Sequence, residues 1–450
     1  MLTSMTEDNS TAAERGTRDN MGPSGSADGP GTLAKPLGGS DQPSKYTGLS
    51  AVDQCVHCGL CLPHCPTYGL HRQEGDSPRG RLTLMQGLAR GELDPQSPRL
   101  RSHLEGCLGC RSCEAVCPAG VPFGALMDRT HEILLQESET PASAPLPMPR
   151  MLHDRLLGSP RLRRLAGLGA RAAARLPRAG LPGLDATVRR ALEHARPSLA
   201  PPPRLRADGP PDAVDVLLFT GCMDAFFTGP DLEAALTVLH ALGLKVGIPP
   251  SRTCCGALDR HAGRPAAATE LERHNREAFG AAEDGPPVIV LDSGCEATLR
   301  EAADSFPGTR ATSLTRFVAR HLAEHGPPRD GWREDPVRVA LHRPCTQRNV
   351  TREGEILPTL LRGLPGVTLA GTPSLPNCCG AGGTAMLAWP EQADALGQQT
   401  LQALGTEAPD CIVSGNVGCR VHLRALQPQS PEDPPLLSPA RFLAGRLAVT

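Results

Sequence analysis

The plainest chemistry in this 450-residue sequence lies in two runs of four cysteines. Cys55, Cys58, Cys61 and Cys65 are followed by Pro66, and Cys107, Cys110, Cys113 and Cys117 by Pro118. Three thiolates spaced by two residues can wrap one [4Fe-4S] cubane, while the fourth, three residues on, points away and ligates a neighbouring cluster. The spacing therefore assigns Cys55, Cys58, Cys61 and Cys117 to one cluster, and Cys107, Cys110, Cys113 and Cys65 to a second. Zinc also accepts tetrahedral thiolates, but it commonly uses two C-x2-C pairs across a longer spacer. Four cysteines in eleven residues, occurring twice and each time before proline, favour iron and sulfide. Gly59 and Gly109 allow backbone amides near the sulfides, whereas His57, His64 and Arg111 read as ordinary exposed loop residues. Neither run leaves an open ligand, so the two clusters would carry single electrons, tuned by hydrogen bonds to sulfur, burial and charge.

A second pattern, C...CCG...C, occurs twice: Cys222, Cys254, Cys255 and Cys295, then Cys345, Cys378, Cys379 and Cys419. VDVLLFTGC (214–222) matches VRVALHRPC (337–345) at an offset of 123 residues, and TCCGA (253–257) matches NCCGA (377–381) at 124. The Gly-Cys end of LDSGC (291–295) meets that of SGNVGC (414–419) at the same 124. A shared offset over several anchors means duplication. Apolar runs at Val214–Phe219, Val288–Leu291 and Val337–Leu341 suit buried parallel strands, and segments 232–244 and 391–405 suit covering helices. Cys222, Cys295, Cys345 and Cys419 then fall just past the carboxyl ends of strands, where open α/β folds place their sites. These eight thiols fit a further iron-sulfur or metal centre, one per copy or one shared; the alternative is a set of buried thiols packing a duplicated core. Cys411 stands where the first copy has Pro287 and reads as a core thiol. GAGGTAM (380–386) and GLGA (167–170) do not complete G-x-G-x-x-G after a strand, and no flavin or nicotinamide motif is found. Hydride chemistry would have to occur on another polypeptide.

The elements that position these residues divide the chain. Residues 1–45, rich in Ser, Gly, Asp and Pro, read as a disordered tail. Residues 46–140 hold both cysteine runs, with helical spacing at 80–90 and 124–135. Residues 141–212 read as a Pro/Arg-rich linker with short helices; positions 150–206 carry thirteen Arg against Asp154, Asp185 and Glu193. Leu156, Leu157, Leu162, Leu165 and Leu168 would give a basic helix an apolar side, so an acidic partner or anionic lipid surface is the alternative to a solvated linker. Residues 213–335 and 336–425 form the two copies, and 426–450 a C-terminal extension. The net charge of −2 supplies no global basic field for nucleic acid. No apolar run approaches the roughly 18 residues of a membrane span, and MLTSMTEDNSTAAERG lacks an apolar signal core, so the expected compartment is the cytosol. Seventeen cysteines in that compartment are not a disulfide framework.

CVHCGLCLPHCPTY (55–68), SPRGR (77–81), CLGCRSCEAVCPAGVPFG (107–124) and the two CCG blocks, in this order, resemble the iron-sulfur subunit of bacterial glycolate oxidase. The resemblance runs from about residue 50 to 425. It implies an α+β multidomain fold: a mainly helical, two-cluster ferredoxin-like domain followed by duplicated α/β cysteine-rich domains. It also implies an electron-transfer subunit with no catalytic residue of its own. FAD-containing partner subunits would oxidise glycolate to glyoxylate, and electrons would pass towards respiratory quinone, with peripheral contact at the cytosolic face of the inner membrane. The eight cysteines of the two runs become cubane ligands, and the eight of the repeat become the cysteine-rich signature. Related domains of heterodisulfide reductases end in C-x-x-C, whereas here Asp292 precedes Cys295 and Asn416 precedes Cys419, so a heterodisulfide-reducing site is not expected. The chain is also similar to the iron-sulfur subunit of anaerobic glycerol-3-phosphate dehydrogenase, and D-lactate is an alternative to glycolate. The identity of the flavoprotein partner separates these readings, and a zinc-bearing scaffold remains the competitor from another class.

Overall fold

In a computed structural model the described residues are 45–138, 160–175, 186–211, 213–249, 253–280, 285–302, 310–370 and 378–448. The expected tail, apart from residue 45, lies outside them, as do Leu156 and Leu157.

The first region is helical: α1 (Pro66–His71), α2 (Pro78–Ala89), α3 (Pro98–Glu105), α4 (Ser112–Ala115) and α5 (Phe123–Gln136). Helices α1, α2 and α3 begin with proline, which loses nothing at the first turn. Ser77 caps α2 by accepting from the Gly80 amide at 2.9 Å. Gly80 is required there, because a Cβ would stand 1.8 Å from the Glu74 carbonyl oxygen. Leu82, Met85 and Leu88 of α2, Leu100 and Leu104 of α3, and Leu126, Met127, Ile133 and Leu134 of α5 form one core beneath the cysteine loops. The two helices expected at 80–90 and 124–135 are thus α2 and α5.

Two helices follow, α6 (Pro160–Arg175) and α7 (Ala186–Ala195). Leu165 and Leu168 of α6 are exposed. Helix α7 is not a solvated tether: Arg190 donates from Nε to the Met386 carbonyl at 2.7 Å and pairs with Asp394 at 2.7 Å, and His194 is buried.

The remainder is two copies of one α/β unit. In the first, β1 (Val216–Leu218), α8 (Gly229–Ala241), β2 (Val246–Gly247), α9 (Ala257–His261), α10 (Pro265–Phe279), β3 (Val288–Val290), α11 (Ser293–Glu301), β4 (Ala311–Ser313) and α12 (Leu314–His325) succeed one another. In the second, β5 (Val337–His342), a π-helical turn (Thr346–Val350), α13 (Ile356–Arg362), β6 (Val367–Leu369), α14 (Ala385–Ala388), α15 (Pro390–Gly405), β7 (Cys411–Ser414), α16 (Val417–Leu426), β8 (Leu436–Leu437) and α17 (Pro439–Arg446) do the same. Both sheets are fully parallel, with orders β2-β1-β3-β4 and β6-β5-β7-β8. The order reverses between β1 and β3, and between β5 and β7, so the carboxyl ends of those neighbouring strands open the crevice in which doubly wound folds bind their ligands. The repeat also runs beyond its cysteines: β8 and α17, in the expected extension 426–450, are the counterparts of β4 and α12.

The copies share a core. Val216, Leu218 and Ile289 of the first sheet, Val339, Leu341 and Val413 of the second, and Phe442 and Leu443 of α17 belong to one apolar cluster. Their helix starts are also stitched together. The Ser293 amide donates to the Gly415 carbonyl at 2.9 Å, the Val417 amide to the Asp292 carboxylate, and Asn416 Nδ2 to Ser293 Oγ at 3.4 Å.

Candidate metal centres and the join between them

The first cysteine run leaves a single helical turn, Ser50–Gln54, and enters a loop whose chain bends twice through left-handed backbone, at His57 (φ 54°) and Gly59 (φ 81°). The second run bends at the same two places, Gly109 (φ 59°) and Arg111 (φ 54°). Glycine accepts that conformation freely, whereas His57 and Arg111 hold it against a steric cost, as happens where a loop must wrap something. Cys55, Cys58, Cys61 and Cys117 line one cavity, with Cys113 at its inner wall. Cys58 is exposed, and beside it Val56 and Leu60 are 70% and 57% exposed, so this cavity has an edge at the surface.

The second set lies deeper. The Cys65 thiol, buried and 3.3 Å from Thr67 Oγ1, acts electrostatically on Cys107 and Cys113, while Cys55 and Cys58 act on Cys61. The fourth cysteine of the first run thus keeps company with the second. Burial pushes the Cys107 and Cys113 thiols up, and Cys110 up to about 12. Such thiols become thiolates only against a compensating cation, which is what a metal or iron-sulfur group supplies.

Among the described residues, Arg81 is a cation buried next to this set. It is 1% exposed and donates to the His103 carbonyl at 2.7 Å, to Thr67 Oγ1 at 2.9 Å and to the Asp76 carbonyl at 2.6 Å. Its Nη2 has no hydrogen-bond acceptor among the described residues, and it stands 4.0 Å from where a Cβ on Gly106 would lie, beside Cys107. Nη2 also lies 3.7 Å from the Asp76 carboxylate, and the guanidinium charge acts on the Cys107 thiol, lowering its pKa against burial.

In the second copy the strand-end cysteines converge. Cys378 interacts with Cys345 and Cys379, and the sulfurs of Cys379 and Cys419 are 2.7 Å apart. Cys378, Cys379 and Cys419 are buried and Cys345 half-buried. Neighbouring Cys378, followed by burial, pushes the Cys345 thiol well up. Gly380, at φ 83°, turns the chain after the cysteine pair where a Cβ would strike the Ala393 carbonyl oxygen at 2.3 Å. His342, at the end of β5, joins them: a ring nitrogen and the sulfurs of Cys379 and Cys419 lie within 4.8 Å of one another. Burial, then Arg348, lowers the His342 pKa to about 4, so the ring is neutral at physiological pH. In the first copy Cys255 interacts with Cys254 and Cys295, and Cys222 is buried beyond β1. Phe219 occupies the place of His342 and stacks on Phe279 at 5.9 Å between ring centres. The donor sets of the two runs and of the second copy, soft and convergent, fit iron-sulfur groups. Cys411 lies in β7 within the shared core, away from these sulfurs.

The helical region and the second copy meet at their thiols. Asn349, in the π-helical turn after Cys345, donates from Nδ2 to the Cys110 carbonyl at 2.7 Å and to Ser112 Oγ at 2.9 Å. Leu108 and Cys110 pack in one apolar cluster with Cys378 and Trp389. The glycine stretch at 380–386 serves this contact: a Cβ on Gly382 would stand 2.8 Å from Leu108 Cδ2. Cys110 is consequently an electrostatic neighbour of both Cys345 and Cys378.

Sequence reasoning missed His342, Asn349 and Arg81. The first was visible as a polar residue closing an otherwise apolar strand; the other two have no local signal, because their partners are 239 and 22 residues away.

Two kinds of thiol site on a helical unit and a duplicated α/β unit define an iron-sulfur protein with cysteine-rich domains, and the comparisons with known proteins agree. The family description "4Fe-4S dicluster domain" matches residues 51–121, and "Cysteine-rich domain" matches 216–300 and 339–424. The chain is 31% identical over 390 residues to the glycolate oxidase iron-sulfur subunit of Escherichia coli, covering 83% of this chain and 90% of that one. It is 30% identical over 398 residues to the probable glycolate oxidase iron-sulfur subunit of Bacillus subtilis, covering 82% and 88%. One polypeptide of the dihydromethanophenazine:CoB–CoM heterodisulfide reductase of Methanosarcina barkeri is 24% identical over 409 residues, covering 83% and 89%. The chain belongs to the family of iron-sulfur, cysteine-rich-domain electron-transfer subunits that includes those of glycolate oxidase.

Proposed function

We propose that this chain is the iron-sulfur subunit of a glycolate-oxidising complex, receiving electrons from FAD on partner subunits and delivering them towards respiratory quinone. Cys55, Cys58, Cys61 and Cys117 hold one [4Fe-4S] cluster, Cys107, Cys110, Cys113 and Cys65 hold a second, and Cys345, Cys378, Cys379 and Cys419 hold a further centre. Bound there, these groups supply one-electron carriers between a two-electron flavin and the acceptor. The chain's own residues do the rest. Val56, Cys58 and Leu60 offer an exposed apolar edge suited to a flavoprotein surface. Asn349 and Leu108 hold the second thiol set against the second copy and exclude water from the join. Leu165 and Leu168 on the basic helix α6 suit a peripheral contact with an anionic membrane surface.

The observation that carries this reading is the contact of Cys110 with the Cys345–Cys378 pair, which gives the buried thiols of the repeat a connection to the surface edge at Cys58. The test is anaerobic co-purification with the partner flavoprotein, followed by addition of glycolate or D-lactate. Glycolate should reduce the flavin and then bleach the oxidised-cluster absorbance. Reduced flavin beside unchanged clusters refutes the route, and reduction by D-lactate alone refutes the substrate.

A further inference from the structure

The two cysteine-rich copies are not equivalent beside their cysteines. Strand β5 ends in His342, and the matching residue of β1, at the repeat offset of 123, is Phe219. His342 is 4% exposed. Its Nδ1 is 2.8 Å from Ser414 Oγ, on the neighbouring strand β7. With Nδ1–H donating to that hydroxyl, Nε2 carries the lone pair, and Nε2 has no hydrogen-bond partner among the described residues. A buried imidazole nitrogen without a partner costs the fold stability unless something occupies it. A ring nitrogen of His342 lies within 4.8 Å of the sulfurs of Cys379 and Cys419, and Nε2 is the ring nitrogen without a hydrogen-bond partner. A ring nitrogen anchored by one hydrogen bond so that the other is free is how metal-ligating histidines are oriented.

The first copy has dismantled this arrangement. Phe219 stacks on Phe279 and packs with Cys255 in an apolar cluster, and the residues around the place of Ser414, Val290 and Leu291, are apolar. Among the described residues, no histidine stands at the first copy's counterpart of this position.

We propose that His342 is a nitrogen ligand, through Nε2, of an iron-sulfur centre whose other protein ligands are Cys345, Cys378, Cys379 and Cys419, and that the first copy holds no such mixed-ligand centre. The inference rests on the reading that the second copy binds a centre at all. Five donors exceed the four of a structural zinc site, and the adjoining Cys110 belongs to a thiol set of the electron-carrying kind. Imidazole in place of a thiolate leaves the centre less negatively charged, which raises its potential, as histidine does in two-iron centres of mixed ligation.

The experiment uses the full chain, loaded and handled anaerobically, in four forms: wild type, Cys379→Ser, His342→Gln and Phe219→Leu. Iron and acid-labile sulfide are counted, and the reduced protein is examined by pulsed EPR for nitrogen coupling, with 15N-histidine labelling of the wild type to identify the nitrogen as imidazole. Expected are iron above the about eight of two cubanes, loss of the excess in Cys379→Ser, and a 15N-histidine coupling in the wild type that disappears in His342→Gln but persists in Phe219→Leu. Because labelling alone reads the ligand in the unaltered protein, a poorly folding variant leaves the test intact. Iron at about eight in wild type and Cys379→Ser alike overturns both the centre and its ligand. Excess iron without a histidine coupling in the wild type, or with one that survives in His342→Gln, overturns the ligand alone.

Discussion

Replacing Arg81 measures how the chain tunes its second thiol set. The guanidinium donates to three oxygens, on His103, Thr67 and Asp76, pairs with the Asp76 carboxylate at 3.7 Å and acts electrostatically on Cys107. Methionine would fill most of the volume but leave the His103 carbonyl without this donor, while Thr67 Oγ1 still donates to the Asp76 carbonyl at 2.9 Å. One buried acceptor left unmade costs about 1–3 kcal/mol. The charge acts separately. A unit charge on the order of 7 Å from a cluster, at an effective dielectric near 20, is worth about 2 kcal/mol, which is on the order of 100 mV for a one-electron couple. A positive charge favours the more negative, reduced form, so Arg81→Met should lower the potential of the second cluster by about that amount. Arg81→Lys, which keeps the charge and loses the fork, should lower thermal stability while shifting the potential by less than half as much. The assay is an anaerobic EPR-monitored redox titration of the full chain, with iron counted in each sample. If Arg81→Met retains all its iron and neither cluster potential moves, the charge of Arg81 does not act on the thiols and the reasoning fails.

Three further outcomes follow from the geometry. Cys117→Ser should alter the same EPR signal as Cys58→Ser, and Cys65→Ser the same signal as Cys110→Ser; pairing of Cys65 with Cys58 instead would refute the crossed ligand sets. Gly382→Val should force apart the Leu108 contact, since its Cβ would lie 2.8 Å from Leu108 Cδ2 on left-handed backbone at φ 39°; about 1–3 kcal/mol of destabilisation and faster amide exchange at 107–110 are expected, and unchanged exchange there contradicts the join. Burial, followed by Arg190 and His422, lowers His194 to about 4. The unfolded chain therefore takes up a proton that the docked ring refuses, and the docking of α7 is complete above about pH 6.5 and lost as pH falls towards 4, by at most roughly 3 kcal/mol. The protection of α7 amides, measured as observed against intrinsic exchange rate, should fall as pH drops from 7 to 5, and constant protection refutes the coupling.

The elements with strong local signals were legible in the sequence. Apolar helical spacing announced α2, α5, α8 and α15, and uninterrupted Val/Leu/Ile runs announced β1, β3 and β5. The short strands β2 and β6 were not, because two or three residues such as Val246–Gly247 carry no period of their own and exist only by pairing with β1 and β5. The repeat anchors were cysteines, which place the end of the duplication at Cys419, although β8 and α17 continue it without a cysteine. Helix α7 has the composition of a linker because it is basic; what docks it is Arg190 on Asp394 and His194 against His422, contacts across 204 and 228 residues. Among the site residues, thiol identity and spacing were plain, while the surroundings that set their chemistry depend on long-range approach.

Asp292 and Asn416 show why a residue type alone misleads. From the sequence they stand where a related pattern would have a cysteine, and so count as ligands lost. In the fold each is the residue before a helix, with its side chain accepting from the helix's own amides: Asp292 from Gly294 at 3.0 Å and Asn416 from Cys419 at 3.1 Å. Such caps are worth about 1 kcal/mol each. Both also reach across to the other copy, Asp292 to the Val417 amide and Asn416 to Ser293 Oγ. A cysteine at either position would weaken the cap and the cross-copy bond together. The cap of Asn416 holds the amide of Cys419, so the same residue that joins the copies also fixes one wall of the convergent thiol site. At both positions, therefore, one residue caps the helix that carries the cysteine and binds the other copy.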